Sequence, residues 1–194
     1  MPIIYKTCTE DGIIPDYVCN ECGETEGGRV RGVAYIHKSL KDEITKSNAE
    51  LFSWWETQIE AGLIKIIPST RGTFDGGTKK TVTGFGDETE KIIGKTFVAV
   101  INDSNHAGNV PFYEALENNY KDYILAFRTE KELRIATDVL IGLEVKDPVD
   151  EDTSTAVLWQ ATATWEQTKP KMLVPVYDLT DKVKELFTSC LSLD

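Results

Sequence analysis

The chain has 194 residues, enough for one domain that buries a core of its own without staples. Its 21 Lys and Arg against 32 Asp and Glu give a formal charge of −11, a mean field that repels nucleic acid and anionic membranes and argues against a nucleic-acid reader. No apolar run approaches the roughly 18 residues of a membrane span, and the opening MPIIYKTCTEDG lacks a secretory signal, which predicts synthesis in a bacterial cytoplasm and reduced cysteines.

Residues 1–28 read as an irregular arm. Cys19-Asn-Glu-Cys22 has the spacing at which two thiolates grip one tetrahedral metal from a tight turn. Cys8 and Cys190 are the other two cysteines, and a zinc site would need all four. Free thiols and a disulfide compete with that reading, and one CxxC does not separate the three.

Val30–Ile36 reads as the first strand of the body, with Gly27-Gly28 as a turn before it. Ser47 and Glu50 have capping-box spacing. Leu51, Trp54, Trp55, Gln58 and Ile59 then follow at helical spacing, and Gly62 supplies the stop. The Trp pair reads as core or subunit contact. Leu63–Ile67 is a strand ended by Pro68.

Residues 69–91 are rich in glycine and poor in apolar side chains. A structureless loop of that length is unusual inside a domain. The stretch reads instead as an extended two-stranded arm turning at Asp75-Gly76-Gly77, since Asp-Gly and Gly-Gly favour hairpin turns. Neither a GxxxxGK[ST] nor a GxGxxG pattern is present, which argues against a phosphate cradle.

Gly94–Thr129 is the organising unit: strand, short helix, strand. Thr96–Ile101 is continuously β-prone, Asp103–Gly108 is turn chemistry, Asn109 and Pro111 start a helix, and Phe112, Tyr113 and Leu116 share its apolar face. Tyr123–Phe127 is the second strand. Asp103, Asn105, Gly108 and Glu114 partly imitate a calcium loop, but Ala107 removes a ligand and Pro111 stiffens it. Asp103, Ser104 and His106 are neighbours on one turn, a poor arrangement for a triad, whose members converge from distinct elements. The chain reads as a non-enzyme.

Leu133–Ile135 and Val139–Val145 are short strands, and Asp147–Asp152 is an acidic turn. Thr155–Trp165 is the last long strand, with Ala161, Ala163 and Trp165 on one face and Thr162 and Thr164 on the other. Asp178–Asp181 starts a helix whose apolar face holds Leu179, Val183, Leu186 and Cys190. The expected class is α+β, β-rich, with two or three helices. The expected parts are a 1–28 arm, a 29–177 body and a 178–194 C-terminal helix.

Pro68, Thr70-Arg71-Gly72, Phe74-Asp75-Gly76-Gly77, Gly84-x-Gly86-Asp87, Phe112-Tyr113, Ala126-Phe127-Arg128-Thr129 and Trp159…Trp165 carry a resemblance to structural proteins of Bacteroidota phages and prophages, including crAss-like phages. The element order resembles that of tail-tube and tail-hub proteins. The resemblance implies a tail-tube-like β-barrel or sandwich whose inner strands join edge to edge between subunits. It implies stacked homo-oligomeric rings around a DNA channel, in a virion tail assembled in the host cytoplasm beside other virion proteins. It carries over no ligand residues. The arm would contact the next ring through Arg71, Phe74, Asp75, Gly76, Gly77 and Phe85. DNA would pass through the lumen without specific binding, and acidic charge suits that passage. A head–tail joining or ring protein, a capsid-decoration protein, and a carbohydrate- or protein-binding β-sandwich are the alternatives. No membrane partner and no cofactor other than zinc are expected.

Overall fold

The computed structural model describes residues 29–68, 70–83, 90–103, 109–147, 159–169 and 172–188. In chain order the strands are β1 (Gly32–His37), β2 (Ile64–Ile67), β3 (Arg71–Phe74), β4 (Thr78–Val82), β5 (Lys91–Asp103), β6 (Tyr123–Arg128), β7 (Glu132–Ile135), β8 (Leu140–Lys146), β9 (Trp159–Thr168) and β10 (Val176–Asp178). The helices are α1 (Lys46–Ala49), α2 (Phe52–Glu60), α3 (Val110–Asn119) and α4 (Asp181–Leu186), with 3-10 turns at Lys38–Glu43 and Tyr120–Asp122. The fold is strand-rich α+β with antiparallel sheets, as the composition of the segments predicts.

Among the described residues, ten strands make two sheets. One runs β10-β7-β6-β1-β2; the other runs β3-β5-β9-β8, with β4 also on β5. In the first sheet β1 and β6 are continuous apolar runs, and both faces of each strand are buried almost throughout. Such strands need cover on both sides. In the second sheet β5 from Phe97 onward and β9 from Gln160 to Gln167 alternate, so one face is buried and the other is not.

An aromatic cluster joins the two sheets. Phe97 and Trp165 are directly paired across β5 and β9, with ring centroids 5.4 Å apart. Phe74 stacks on both, at 5.9 and 5.8 Å. It also meets Phe127 of the opposite sheet at 5.0 Å. The chain itself ties one corner: Val30 exchanges both backbone hydrogen bonds with Gly72 of β3, at 3.0 and 3.1 Å, and the next residue, Arg31, donates to Arg128 of β6 at 2.9 Å. Consecutive residues thus belong to different sheets.

The other face of the first sheet is covered by α2 and α4. Phe187, just past α4, is fully buried and meets Trp55 of α2 with ring centroids 5.5 Å apart. It lies so close to Gly32 that a Cβ there would sit 2.9 Å from the Phe187 carbonyl oxygen. Val183 and Leu186 are buried as the sequence pattern predicts, and Thr180 caps α4 by accepting from the Val183 amide at 3.4 Å. Cys190 lies outside the described residues.

The capping box predicted at Ser47 does not form. Thr45 is the N-cap, its hydroxyl accepting from the Asn48 amide at 3.3 Å, and α1 is a single turn. Glu50 lies beyond that turn and accepts from the Asp178 amide at 3.3 Å, so its carboxylate is engaged elsewhere. The indole N–H of Trp55 donates to the Ala49 carbonyl at 2.9 Å. It takes the acceptor that a continuous helix would have given to the Ser53 amide, and the helix restarts at Phe52. The stop at Gly62 forms as expected, at φ 75°.

Helix α3 closes one end of the sandwich. Tyr113 donates to Asp103 at 2.6 Å and stacks on Trp159 at 5.1 Å. Tyr35 of β1 is fully buried nearby, and its hydroxyl has no hydrogen-bond partner. Burial pushes the hydroxyl pKa of both tyrosines above its ordinary range, and Asp103 adds to the shift at Tyr113.

Two outcomes follow from this packing. Phe187→Ala should cost about 3–5 kcal/mol in urea unfolding; a loss below about 1 kcal/mol would show that α4 is not docked. The raised tyrosines give stability that is full below the unfolded value of about 10 and is lost as pH rises beyond it. The unfolding free energy should therefore fall by about 1.4 kcal/mol per pH unit for each tyrosine above pH ~10. Tyr35→Phe should remove one such increment, and an unchanged slope would contradict its burial.

Candidate assembly surface

Strand β5 is 13 residues long, and it carries the surface. Along one side it pairs with β9 from Gly94↔Thr168 to Asp103↔Trp159. Along the other it pairs first with β3, Arg71↔Asn102 to Phe74↔Ala99, then with β4, Thr78↔Thr96 to Val82↔Lys91. Strands β3 and β4 do not pair with each other. They are two halves of one edge strand, so the hairpin turn predicted at Asp75-Gly76-Gly77 is not a turn. Four steps from Phe74 to Thr78 face three steps from Ala99 to Thr96, which makes the segment a β-bulge with one extra residue.

The bulge is chemically specified. The Asp75 carboxylate accepts from the Gly77 amide at 2.9 Å and from the Val98 amide at 3.0 Å, while the Asp75 amide donates to the Val98 carbonyl at 3.1 Å. The side chain thus replaces the ladder bond that the extra residue removes. Gly77 has φ 87°, and a Cβ there would fall 2.4 Å from the Phe97 ring. Asp-Gly-Gly does mark a departure from strand geometry, as its composition predicts, but the departure is a bulge and not a reversal.

The actual hairpin is β4 with the first half of β5, and its connection spans residues 83–90. The predicted arm therefore shifts along the chain. Arg71 and Phe74 belong to the sheet, Phe74 within the aromatic cluster, while every residue of β4 is exposed. Lys80 pairs with Glu166 of β9 at 2.7 Å and ties the hairpin to its root. Phe85 lies outside the described residues.

The uncovered face of this sheet shows cross-strand rungs of short side chains. Thr73, Val100 and Thr162 form one, and Val98 and Thr164 another. The β5 and β9 positions of both rungs are half-exposed and Thr73 is exposed. Arg71, Glu144, Lys146 and Glu166 stand around them. The far edge, β8, is partly blocked, because Glu117 of α3 accepts from the Val145 amide at 3.0 Å.

Cys8, Cys19, Cys22 and Cys190 lie outside the described residues, as do Ser104, Asn105, His106 and Gly108. Asp103 is occupied by Tyr113, and Glu114 is exposed on α3. Among the described residues no three His, Cys, Asp or Glu side chains gather as a metal site. A cleft of about 390 Å³ lies beside Lys41, Thr137, Asp138 and Tyr177, where Lys41 and Asp138 form an ion pair of 2.6 Å. No described helix is long and apolar enough to cross a membrane.

No protein-family model, no curated protein and no solved structure matches this chain.

Asp75→Ala should leave the Gly77 and Val98 amides without their acceptor and cost about 1–3 kcal/mol. Hydrogen exchange at Val98 and Gly77 should accelerate while exchange across β1 and β6 stays slow. Equal acceleration everywhere would mean the bulge is not a local unit.

Proposed function

We propose that this chain is a virion structural subunit of the tail-tube or tail-hub type, assembling with copies of itself into stacked rings around a DNA channel. The observation that carries the proposal is the β4–β5 hairpin. Its strand β4 buries no side chain on the subunit's own body, and its far end, Thr81 and Val82 opposite Ile92 and Lys91, runs beyond the last β5–β9 pair as two strands alone, which are marginal in water. A segment of this kind gains its packing from a neighbour.

The half-exposed Thr and Val rungs of β5 and β9 suit a wall of small side chains facing water or a neighbouring subunit. A formal charge of −11 suits a lumen through which phosphates slide. Assembly of this kind uses a heterologous interface that closes into a ring and repeats by stacking. The subunit would reside in the virion tail, after assembly in a bacterial cytoplasm with other virion proteins. Head–tail joining and capsid decoration would use the same parts. A sugar-binding sandwich would need an exposed aromatic platform, whereas the exposed large hydrophobic side chains among the described residues are Leu51, Val82, Ile141, Leu173 and Val176.

Replacing residues 83–90 with an Asn-Gly turn should keep the fold and abolish stacking. Sedimentation velocity and negative-stain microscopy read both effects. Tubes that survive the replacement would remove the arm from the assembly. A wild-type protein that stays monomeric at high concentration would sink the ring reading.

A further inference from the structure

The chain contains five arginines, Arg29, Arg31, Arg71, Arg128 and Arg134. They are scattered in sequence, but backbone pairing brings all of them to one end of the sandwich. Arg29 and Arg31 flank Val30, whose partner Gly72 adjoins Arg71. The Arg31 amide donates to Arg128, and Arg134 pairs with Phe127. Only two carboxylates answer them among the described ion pairs: Glu130 on Arg31 at 3.2 Å and Glu132 on Arg134 at 2.6 Å. Arg29 and Arg71 have no ion pair among the described residues. A local excess of guanidinium groups therefore stands on a strongly acidic protein.

Arg128 lies behind this end: Phe127 faces the partner sheet, so the next side chain on β6 turns to the other face and does not line the cleft. It is only 5% exposed, and its Nε has no hydrogen-bond partner. Its described side-chain bond goes to the Thr129 carbonyl at 3.1 Å. Burial and the charge of Arg31 both disfavour its protonated form. A cleft of about 290 Å³ opens at this end, between the sheets. Arg29, Arg134, Thr73 and Thr129 stand around a floor that includes Phe74 and Phe127. Planar guanidinium groups above an aromatic floor match a carboxylate carried on an apolar stem.

We infer that this cleft docks an acidic, partly apolar segment of a second copy of this chain. The occupant follows from charge: each copy carries −11 overall, so its neighbours supply carboxylates in excess. The inference rests on the proposed self-assembly and names one contact within it. A suitable probe is the capped hexapeptide Asp-Pro-Val-Asp-Glu-Asp, the composition of residues 147–152.

Titration calorimetry with this peptide on the full chain should show binding that weakens at least about tenfold between about 50 and 500 mM NaCl. Arg29→Gln with Arg134→Gln should weaken it by a further factor of about ten or more. Arg29→Gln alone, at an exposed side chain with no described ion pair, guards against misfolding of the double variant and should retain part of the loss. Absence of peptide binding, or binding indifferent to both substitutions, overturns the inference. So does tighter, Arg29-dependent binding of duplex DNA of random sequence, which would reassign the cleft to phosphate. Sedimentation of the wild type keeps the two readings apart. A monomer that binds the peptide overturns the rings and leaves the cleft's carboxylate chemistry standing without its partner copy. Rings that persist unchanged in the double variant overturn the docking and leave the rings.

Discussion

The β5–β9 ladder is the constraint on which the rest depends. It runs unbroken from Gly94↔Thr168 to Asp103↔Trp159 and fixes which face of each strand looks inward. Because side chains alternate with period two, that one register places Phe97, Ala99 and Ile101 in the core and Thr96, Val98 and Val100 outside. It also sets Phe97 against Trp165, so that Phe74 can stack on both and reach Phe127 in the other sheet. Slipping the ladder by one residue would remove the aromatic cluster and with it the contact between sheets.

The two sheets solve opposite problems with the same strand chemistry. Sheet β10-β7-β6-β1-β2 is covered by α2 and α4 on one face and by its partner sheet on the other, and its central strands are apolar throughout. The second sheet is covered on one face alone, and alternates. Its bare face, its projecting hairpin and the arginine-rich end lie on or beside β3 and β5. The features proposed for assembly therefore share a region where the subunit's own packing is least complete.

Most strands were legible in the sequence because period and composition are local signals. Val30–Ile36, Leu63–Ile67, Tyr123–Phe127 and the small-residue face of Ala161 and Ala163 read directly. What was not legible depended on distant partners. Thr45 and not Ser47 caps its turn, and the Glu50 carboxylate accepts from the Asp178 amide, 128 residues away in sequence. Asp75-Gly76-Gly77 has hairpin chemistry, yet it bulges because β5 is long enough to pair with what lies on either side. Strand β10 is only three residues and has no pattern of its own; pairing with β7 defines it. The gathering of five arginines was invisible for the same reason, since no two of the three sequence neighbourhoods adjoin until the sheets form.

The bulge at Asp75–Gly77 divides the edge into regions with different tolerance of changes in chain length. Residues added or lost within 83–90 leave both flanking registers intact, because the β4–β5 pairing fixes each side separately. One residue lost between Phe74 and Thr78 would leave three steps facing three, a regular ladder without the bulge and without the bend and added twist a bulge brings. Thr78 would still face Thr96 and Lys80 would stay beside Glu166, but the edge would lose the kink that Asp75 stabilises. The hairpin's reach is thus set at its end, while its aim depends on the one extra residue at its base.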